Sequence, residues 1–195
     1  MPLILASTSP RRRQLLAELG VAFDCIAPAI DESQYAALPP QEQALTLAVA
    51  KARDVAAQHP DALVLGGDTL VVLGTTVFGK PESPADAVRM LQQLQGQTHE
   101  VVTAIALVCQ SQQFERTHVE TARVTMRALE SAEITAYVAT GEPLDKAGAY
   151  GVQGLGGTLI TKIDGDYYAV VGLPLRATAH LLRSAGFAID PNTIR

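Results

Sequence analysis

The run LILASTSPRRRQLLAELG, residues 3–20, constrains the fold more than any other stretch of the chain. Leu3, Ile4 and Leu5 read as a short buried strand, and Ala6, Ser7, Thr8 and Ser9 as a small polar turn. Ser9 is a good helix N-cap, and Pro10 stands at the first helical position, where a missing N–H costs nothing. Leu15, Leu16 and Leu19 fall on one helical face, and Gly20 closes the helix. Arg11, Arg12 and Arg13 crowd the first turn, where the helix dipole is already positive. Hydroxyls, free backbone N–H groups and guanidiniums at one helix start make a bay for a polyanion, most simply a phosphate chain. The plainer alternative is three solvated arginines beside ordinary α/β punctuation. The turn is not a Walker A loop, because GxxxxGK[ST] is absent.

Composition limits what such a bay can serve. The 195 residues, 48% of them hydrophobic, suffice for one sizeable core, or one core with a small lobe. A net charge of −5 argues against a general nucleic-acid surface, so positive charge must be concentrated locally. Cys25 and Cys109 stand far apart with no CxxC, which suits a reducing cytosol. The N-terminus lacks a basic n-region with a long apolar core, and no apolar run approaches a membrane span. The expectation is a cytoplasmic protein with no membrane partner.

Further along, Ala22 to Ala27 reads as a second strand and Pro28 to Pro40 as a loop. Gln41 to Gln58 is helical, with Leu45, Ala48, Val49 and Ala52 inward; Lys51 lies off that stripe and periodicity leaves it on the surface. Ala62 to Leu65 is a central strand that empties into Gly66-Gly67-Asp68-Thr69, and Leu70 to Leu73 turns through Gly74-Thr75-Thr76 into Val77-Phe78. Ser83 and Pro84 start a helix carrying Val88, Met90, Leu91 and Leu94. Val101 to Cys109 and Phe114 to Arg127 are two long, paired strands, and Ser131 to Ala139 is a short helix. The stretch from Gly141 to Gly157 is irregular, followed by strands at Thr158 to Ile163 and Tyr167 to Val171 around an Asp-Gly-Asp turn. Leu175 to Ser184 is the last helix, and the tail from Gly186 is loosely held. This spacing predicts a mixed α/β sheet with helices and not a simple alternating βαβ array.

Asp68 is the candidate acid or base. Placed directly after a buried strand, it is expected at that strand's C-terminal edge, where α/β proteins keep ligands. The competing reading is a turn aspartate bonding its own backbone. Asp31 and Glu32 offer a second acidic point; carboxylates beside a phosphate chain make the usual Mg²⁺ cradle. Lys80, fixed between Gly79 and Pro81, can reach a phosphate, and Lys146 is a weaker candidate. Gln153, in a stretch with Gly148, Gly151, Gly154, Gly156 and Gly157, can both donate to and accept from a base edge, although such a stretch is also an ordinary connector. The four histidines show no ligand spacing, and there is no GxSxG.

Taken together and in order, LASTSPRRRQLL, GGDT, GKP and LDKAGAYGVQGLGG resemble the Maf family, also called septum formation inhibitor Maf proteins, nearly end to end. Arg11 after Ser-Pro, Thr69 after Asp68, and AGAYGVQG resemble the branch acting on dTTP and UTP; the branch acting on 7-methyl-GTP typically has tryptophan after Ser-Pro. The resemblance implies an α/β (α+β mixed sheet) chain of the ITPase-like (Maf/Ham1) fold, with an elongated sheet flanked by helices around a central cleft. It implies a single domain over 1–195, in two lobes. It implies metal-dependent hydrolysis of a nucleoside triphosphate to monophosphate and pyrophosphate, with Mg²⁺ or Mn²⁺ as the divalent cofactor. By position, Asp68 matches the family's proton acceptor, and Arg11, Thr69 and Gln153 its specificity positions. Glu32, Lys51 and Lys80 match polar residues around phosphates and metal, which brings Lys51 back from the surface. Ser7, Ser9 and Arg12 are then expected on the phosphates, and Glu32 and Asp68 on the metal. Arg13 extends the usual arginine pair and is given no role. The expected partner is the nucleotide, with no nucleic acid; a homodimer is left open. The alternative function is a non-catalytic nucleotide-binding regulator of division, but such a binder needs no base at Asp68.

Overall fold

The computed structural model describes residues 1–189; the last part of the tail, 190–195, lies outside them. Its strands are β1 (Leu3–Ala6), β2 (Asp24–Ile26), β3 (Leu63–Leu73), β4 (Thr76–Phe78), β5 (Thr98–Cys109), β6 (Phe114–Met126) and β7 (Ile160–Asp164). Its α-helices are α1 (Pro10–Glu18), α2 (Pro40–Gln58), α3 (Pro84–Leu94), α4 (Ser131–Ala139), α5 (Tyr167–Val171) and α6 (Leu175–Ser184). The strands form one mixed sheet in the order β2-β1-β3-β5-β6-β7, with β4 on β3. β1 runs parallel to both β2 and β3, while β3/β4 and β6/β7 are antiparallel. The expected pairing of the two long strands is present as β5 beside β6.

Contacts divide the chain into two compact units. The first comprises Met1–Asp68, Thr103–Glu120 and the segment from Gly172 on; the second comprises Thr69–Val102 and Thr121–Val171. In the first, Leu5, Leu15, Leu16, Leu47, Leu63 and Leu65 are fully buried. The second is built around Val71, Phe78, Met90, Leu91, Leu94 and Val124, with Tyr137 and Tyr150 among them. Among the described residues, no helix is long and apolar enough to cross a membrane.

Helix α1 starts as its residues dictate. The Arg12 N–H donates to Ser9 Oγ at 3.3 Å, Pro10 opens the first turn, and Leu15 and Leu16 face the core. In α2 the buried face is one step away from the expected stripe. It carries Ala44, Leu47, Ala48, Lys51, Ala52 and Val55, while Leu45 and Val49 are only half-buried. The reason is in β3. A Cβ on Gly66 would collide with the Ala48 carbonyl oxygen and lie 2.8 Å from the Ala52 nitrogen. Only glycine lets the α2 backbone press this closely on the strand.

Three other expectations are corrected. Gly66-Gly67-Asp68-Thr69 does not end the strand: β3 runs through it unbroken, so Asp68 is mid-strand and not at a C-terminal edge. Two glycines weaken a strand, but the flanking apolar runs on both sides are paired and carry it across. Tyr167–Val171 is a helix, not a strand. Asp166 Oδ1 accepts from the Tyr168 N–H at 2.8 Å and the Ala169 N–H at 3.3 Å, so the aspartate read as part of a hairpin turn is an N-cap. After α6, Gly186 and Phe187 donate to the carbonyls of Arg183 and Leu182, and Ile189 is buried, so the tail is held this far.

Candidate active site

Strand periodicity and the Gly66 contact together place the central carboxylate. Residues two apart on a strand face the same way, so Asp68 points to the α2 side as Gly66 does. One helical turn beyond Ala48 stands Lys51, whose Nζ donates to Asp68 Oδ1 at 2.7 Å. The same Nζ lies 2.8 Å from Glu32 Oε1. Lys51 is 8% exposed and Asp68 6%, whereas the Glu32 side chain is 58% exposed. One lysine therefore joins a buried carboxylate to a solvated one. Asp68 Oδ2 is buried with no hydrogen-bond partner among the described residues. Burial raises the Asp68 pKa above the usual carboxylate value, against the opposing charges of Lys51 and Arg12.

Glu32 is presented by a short 3₁₀ turn, Glu32–Tyr35, capped by its neighbour. Asp31 Oδ1 accepts from the Ser33 N–H at 3.1 Å and the Ser33 hydroxyl at 2.7 Å, and Oδ2 accepts from Gln34 at 3.2 Å. The Asp-Glu pair thus divides its labour: Asp31 shapes the turn and Glu32 faces Lys51.

At the start of α1, the Ser9 N–H donates to Ser7 Oγ at 3.1 Å, and Ser7 is buried. Arg11 and Arg12 are half-buried and Arg13 is exposed. Arg12 Nε donates to the Gly172 carbonyl at 2.9 Å. A Cβ on Gly67 would approach Arg12 Nε to 3.3 Å, so the guanidinium lies against the backbone just before Asp68. Burial lowers the Arg12 pKa and the Asp68 charge raises it; the guanidinium stays protonated throughout. Gly172 escaped the sequence reading because a carbonyl anchor 160 residues away leaves no side-chain signal.

The first unit thus gathers Ser7, Ser9, Arg11, Arg12, Glu32, Lys51 and Asp68. Thr69, Lys80 and Gln153 belong to the second unit. Thr69 follows Asp68 on β3, and alternation turns it to the opposite face. Lys80 is exposed after β4, and Gln153 is half-buried in the glycine-rich loop. Lys146 donates to Asp145 at 2.8 Å and to the Glu142 carbonyl, so it is engaged within its own loop.

Among the described residues, no group of three or more His, Cys, Asp or Glu side chains is arranged to hold a metal ion. Two carboxylates do converge on the Lys51 ammonium, and one of them keeps a buried oxygen without a partner. That donor set fits a hard cation such as Mg²⁺, which takes one or two carboxylates and fills its other positions with water and phosphate oxygens.

A family model described as "Maf-like protein" matches residues 2–185. The chain belongs to the Maf family. A Moorella thermoacetica protein named dTTP/UTP pyrophosphatase is 57% identical over 189 residues, spanning 96% of each chain. A Gloeobacter violaceus protein of the same name is 50% identical over 180 residues, spanning 92% of this chain and 94% of its own. The structure of the Staphylococcus aureus Ham1 protein matches with a TM-score of 0.50 at 14% identity, over 82% of this chain and 80% of that one. At that identity the likeness speaks for the fold alone, and it agrees with the Ham1-like mixed sheet expected for a Maf chain.

Proposed function

We propose that this chain is a nucleoside triphosphate pyrophosphatase that hydrolyses dTTP and UTP to the monophosphate and pyrophosphate, with Asp68 as the base. The observation that carries the reading is the Asp68 carboxylate: buried, raised in pKa, tied at Oδ1 by Lys51 and without a partner at Oδ2. A structural ion pair has no use for a buried, unpartnered oxygen, whereas a general base needs one turned to its proton donor. The names of relatives at 46–57% identity supply the substrate class.

Water attacks the α-phosphorus, the bond from that phosphorus to the oxygen bridging to the β-phosphate breaks, and pyrophosphate leaves with the electron pair. Asp68 Oδ2 accepts the proton lost by the water. Burial strengthens Asp68 as a base, and Lys51 keeps it ionised while doing so. Ser7, Ser9 and Arg12 hold phosphate oxygens at the positive end of α1, and Arg12 is preset for this by its bond to Gly172. Glu32 and Asp68 would hold a divalent cation, Mg²⁺ or Mn²⁺, whose charge offsets that of the triphosphate. Lys80 keeps the phosphate role, and Arg11, Thr69 and Gln153 the specificity role, that the family resemblance gives them. A reducing cytosol is the compartment that suits two free cysteines.

The deciding experiment incubates the protein with dTTP, UTP, CTP, ATP and GTP in turn, each with Mg²⁺ or Mn²⁺, and separates the products. UMP or dTMP with pyrophosphate is expected; accumulation of dTDP, or no turnover of any pyrimidine nucleotide, overturns the reading. Asp68→Asn is expected to keep nucleotide binding and lose at least about 10²-fold in turnover, the size of a general-base loss.

A further inference from the structure

The Gln153 loop closes on itself through two side chains that the reading above does not use. Its ends, Gly151 and Gly156, stand back to back: a Cβ on Gly156 would collide with the Gly151 carbonyl oxygen and lie 2.5 Å from the Tyr137 hydroxyl. That hydroxyl accepts from the Gly151 N–H at 3.3 Å and donates to Glu142 Oε1 at 2.9 Å. The Glu142 carboxylate also accepts from the Gly156 N–H at 2.9 Å and the Leu155 N–H at 3.1 Å. A Cβ on Gly154 would meet Glu142 Oε2 at 2.8 Å, so the loop backbone lies directly on the carboxylate. Tyr137 is 7% exposed and comes from α4; Glu142 opens the 3₁₀ turn Glu142–Asp145 just after it.

We propose that Glu142 and Tyr137 are positioning residues that fix the loop carrying Gln153, and through it set the discrimination among pyrimidine nucleotides. The inference rests on the pyrophosphatase reading and on Gln153 as its specificity residue. Between the pinned ends, Val152, Gln153 and Gly154 make no hydrogen bond to the clamp, and the Gln153 amide makes none among the described residues. An amide that must choose between two base edges discriminates only if its backbone cannot follow the wrong base. Three hydrogen bonds to one carboxylate supply that rigidity, because charge-assisted bonds are the strong ones. Burial pushes the Glu142 pKa up, but the Gly156 N–H, the Tyr137 hydroxyl and the Leu155 N–H outweigh it and hold the group ionised at neutral pH.

The test measures kcat and KM for UTP and CTP on the wild type, Glu142→Ala, Glu142→Gln and Tyr137→Phe, with melting curves to show that each folds. Glu142→Ala should lower the UTP/CTP ratio of kcat/KM by roughly tenfold, mostly through KM for UTP, and Glu142→Gln should recover part of it. Tyr137→Phe should lower the ratio by about threefold, and it decides the matter if Glu142→Ala does not fold. An unchanged ratio with equal losses on both nucleotides means that the clamp is only structural and overturns the inference. If the wild type leaves dTTP and UTP intact, the pyrophosphatase reading fails first, and the inference falls with it.

Discussion

Replacing Lys51 with methionine isolates the energetic problem posed by Asp68. The substitution keeps most of the stem that packs in α2 and removes the ammonium. Asp68, 6% exposed, would then hold a charge with neither oxygen bonded by Lys51 and with Arg12 as the remaining opposing charge nearby. Breaking a buried pair by removing one partner costs about 3–5 kcal/mol. The Lys51–Glu32 contact adds little to this, because a side chain 58% exposed is screened by water. The low end, about 3 kcal/mol, is expected near neutral pH. The pH dependence has a definite sign. Asp68 already has a raised pKa in the folded state, and losing Lys51, whose charge and hydrogen bond hold it down, raises it further. A folded acid with a raised pKa destabilises above that pKa and recovers as pH falls toward the unfolded value. The deficit of Lys51→Met should therefore shrink as the pH is lowered through the new Asp68 pKa. Urea melts of Lys51→Met, Asp68→Asn and the double variant at several pH values read this directly. The two single effects should be non-additive by about 2 kcal/mol. Additive effects, or a Lys51→Met cost below about 0.5 kcal/mol, would show that Lys51 does not support the Asp68 charge.

Gly66→Ala should destabilise by about 1–3 kcal/mol, as overpacking does, and lower turnover as well, because it pushes α2 and Lys51 away from Asp68; melts and kcat on one preparation check both. Leu16→Ala should cost about 2–5 kcal/mol in a denaturant melt, since Leu16 is fully buried, while Arg11→Ala should lower kcat/KM on dTTP and UTP. His99, bonded to the Tyr150 hydroxyl at 2.6 Å with Nδ1 buried and unpartnered, has its pKa pushed down by burial from 6.5 to about 4. Its contribution is complete above the unfolded value and is lost as pH falls toward the folded one, so stability should drop by about 2–3 kcal/mol across that window, and His99→Phe with Tyr150→Phe should flatten the slope.

The parts legible in the sequence were those whose chemistry is local. Ser9 and Pro10 announce the start of α1 wherever the helix is packed, and Leu15 and Leu16 name its buried face without help from other elements. The same logic misreads Asp166, because Asp-Gly-Asp serves a hairpin or a helix cap equally well, and the hairpin reading makes YYAVV its second strand. The buried face of α2 was legible only in Ala48 and Ala52, for a different reason. Helical periodicity puts Leu45 and Val49 on the inner face with Ala48 and Ala52, yet the small residues lie deepest where a glycine strand draws the backbone in. The signal was present, but split between two segments: alanines at 48 and 52, glycine at 66.

That split signal also explains how a charged base comes to stand in the middle of a strand. A carboxylate at a strand's end meets water and needs no partner, whereas one at Asp68 must be compensated by the protein. Gly66 brings α2 close, alternation turns Asp68 toward it, and the next turn of α2 brings Lys51 within 2.7 Å. A larger residue at 66 would move the lysine away and raise the Asp68 pKa further, leaving the buried charge less well compensated. Gly66 thus acts on the chemistry through the helix that packs against it. Its side-chain-free contact is what allows Asp68 to be buried enough to be a stronger base and still paired well enough to stay ionised.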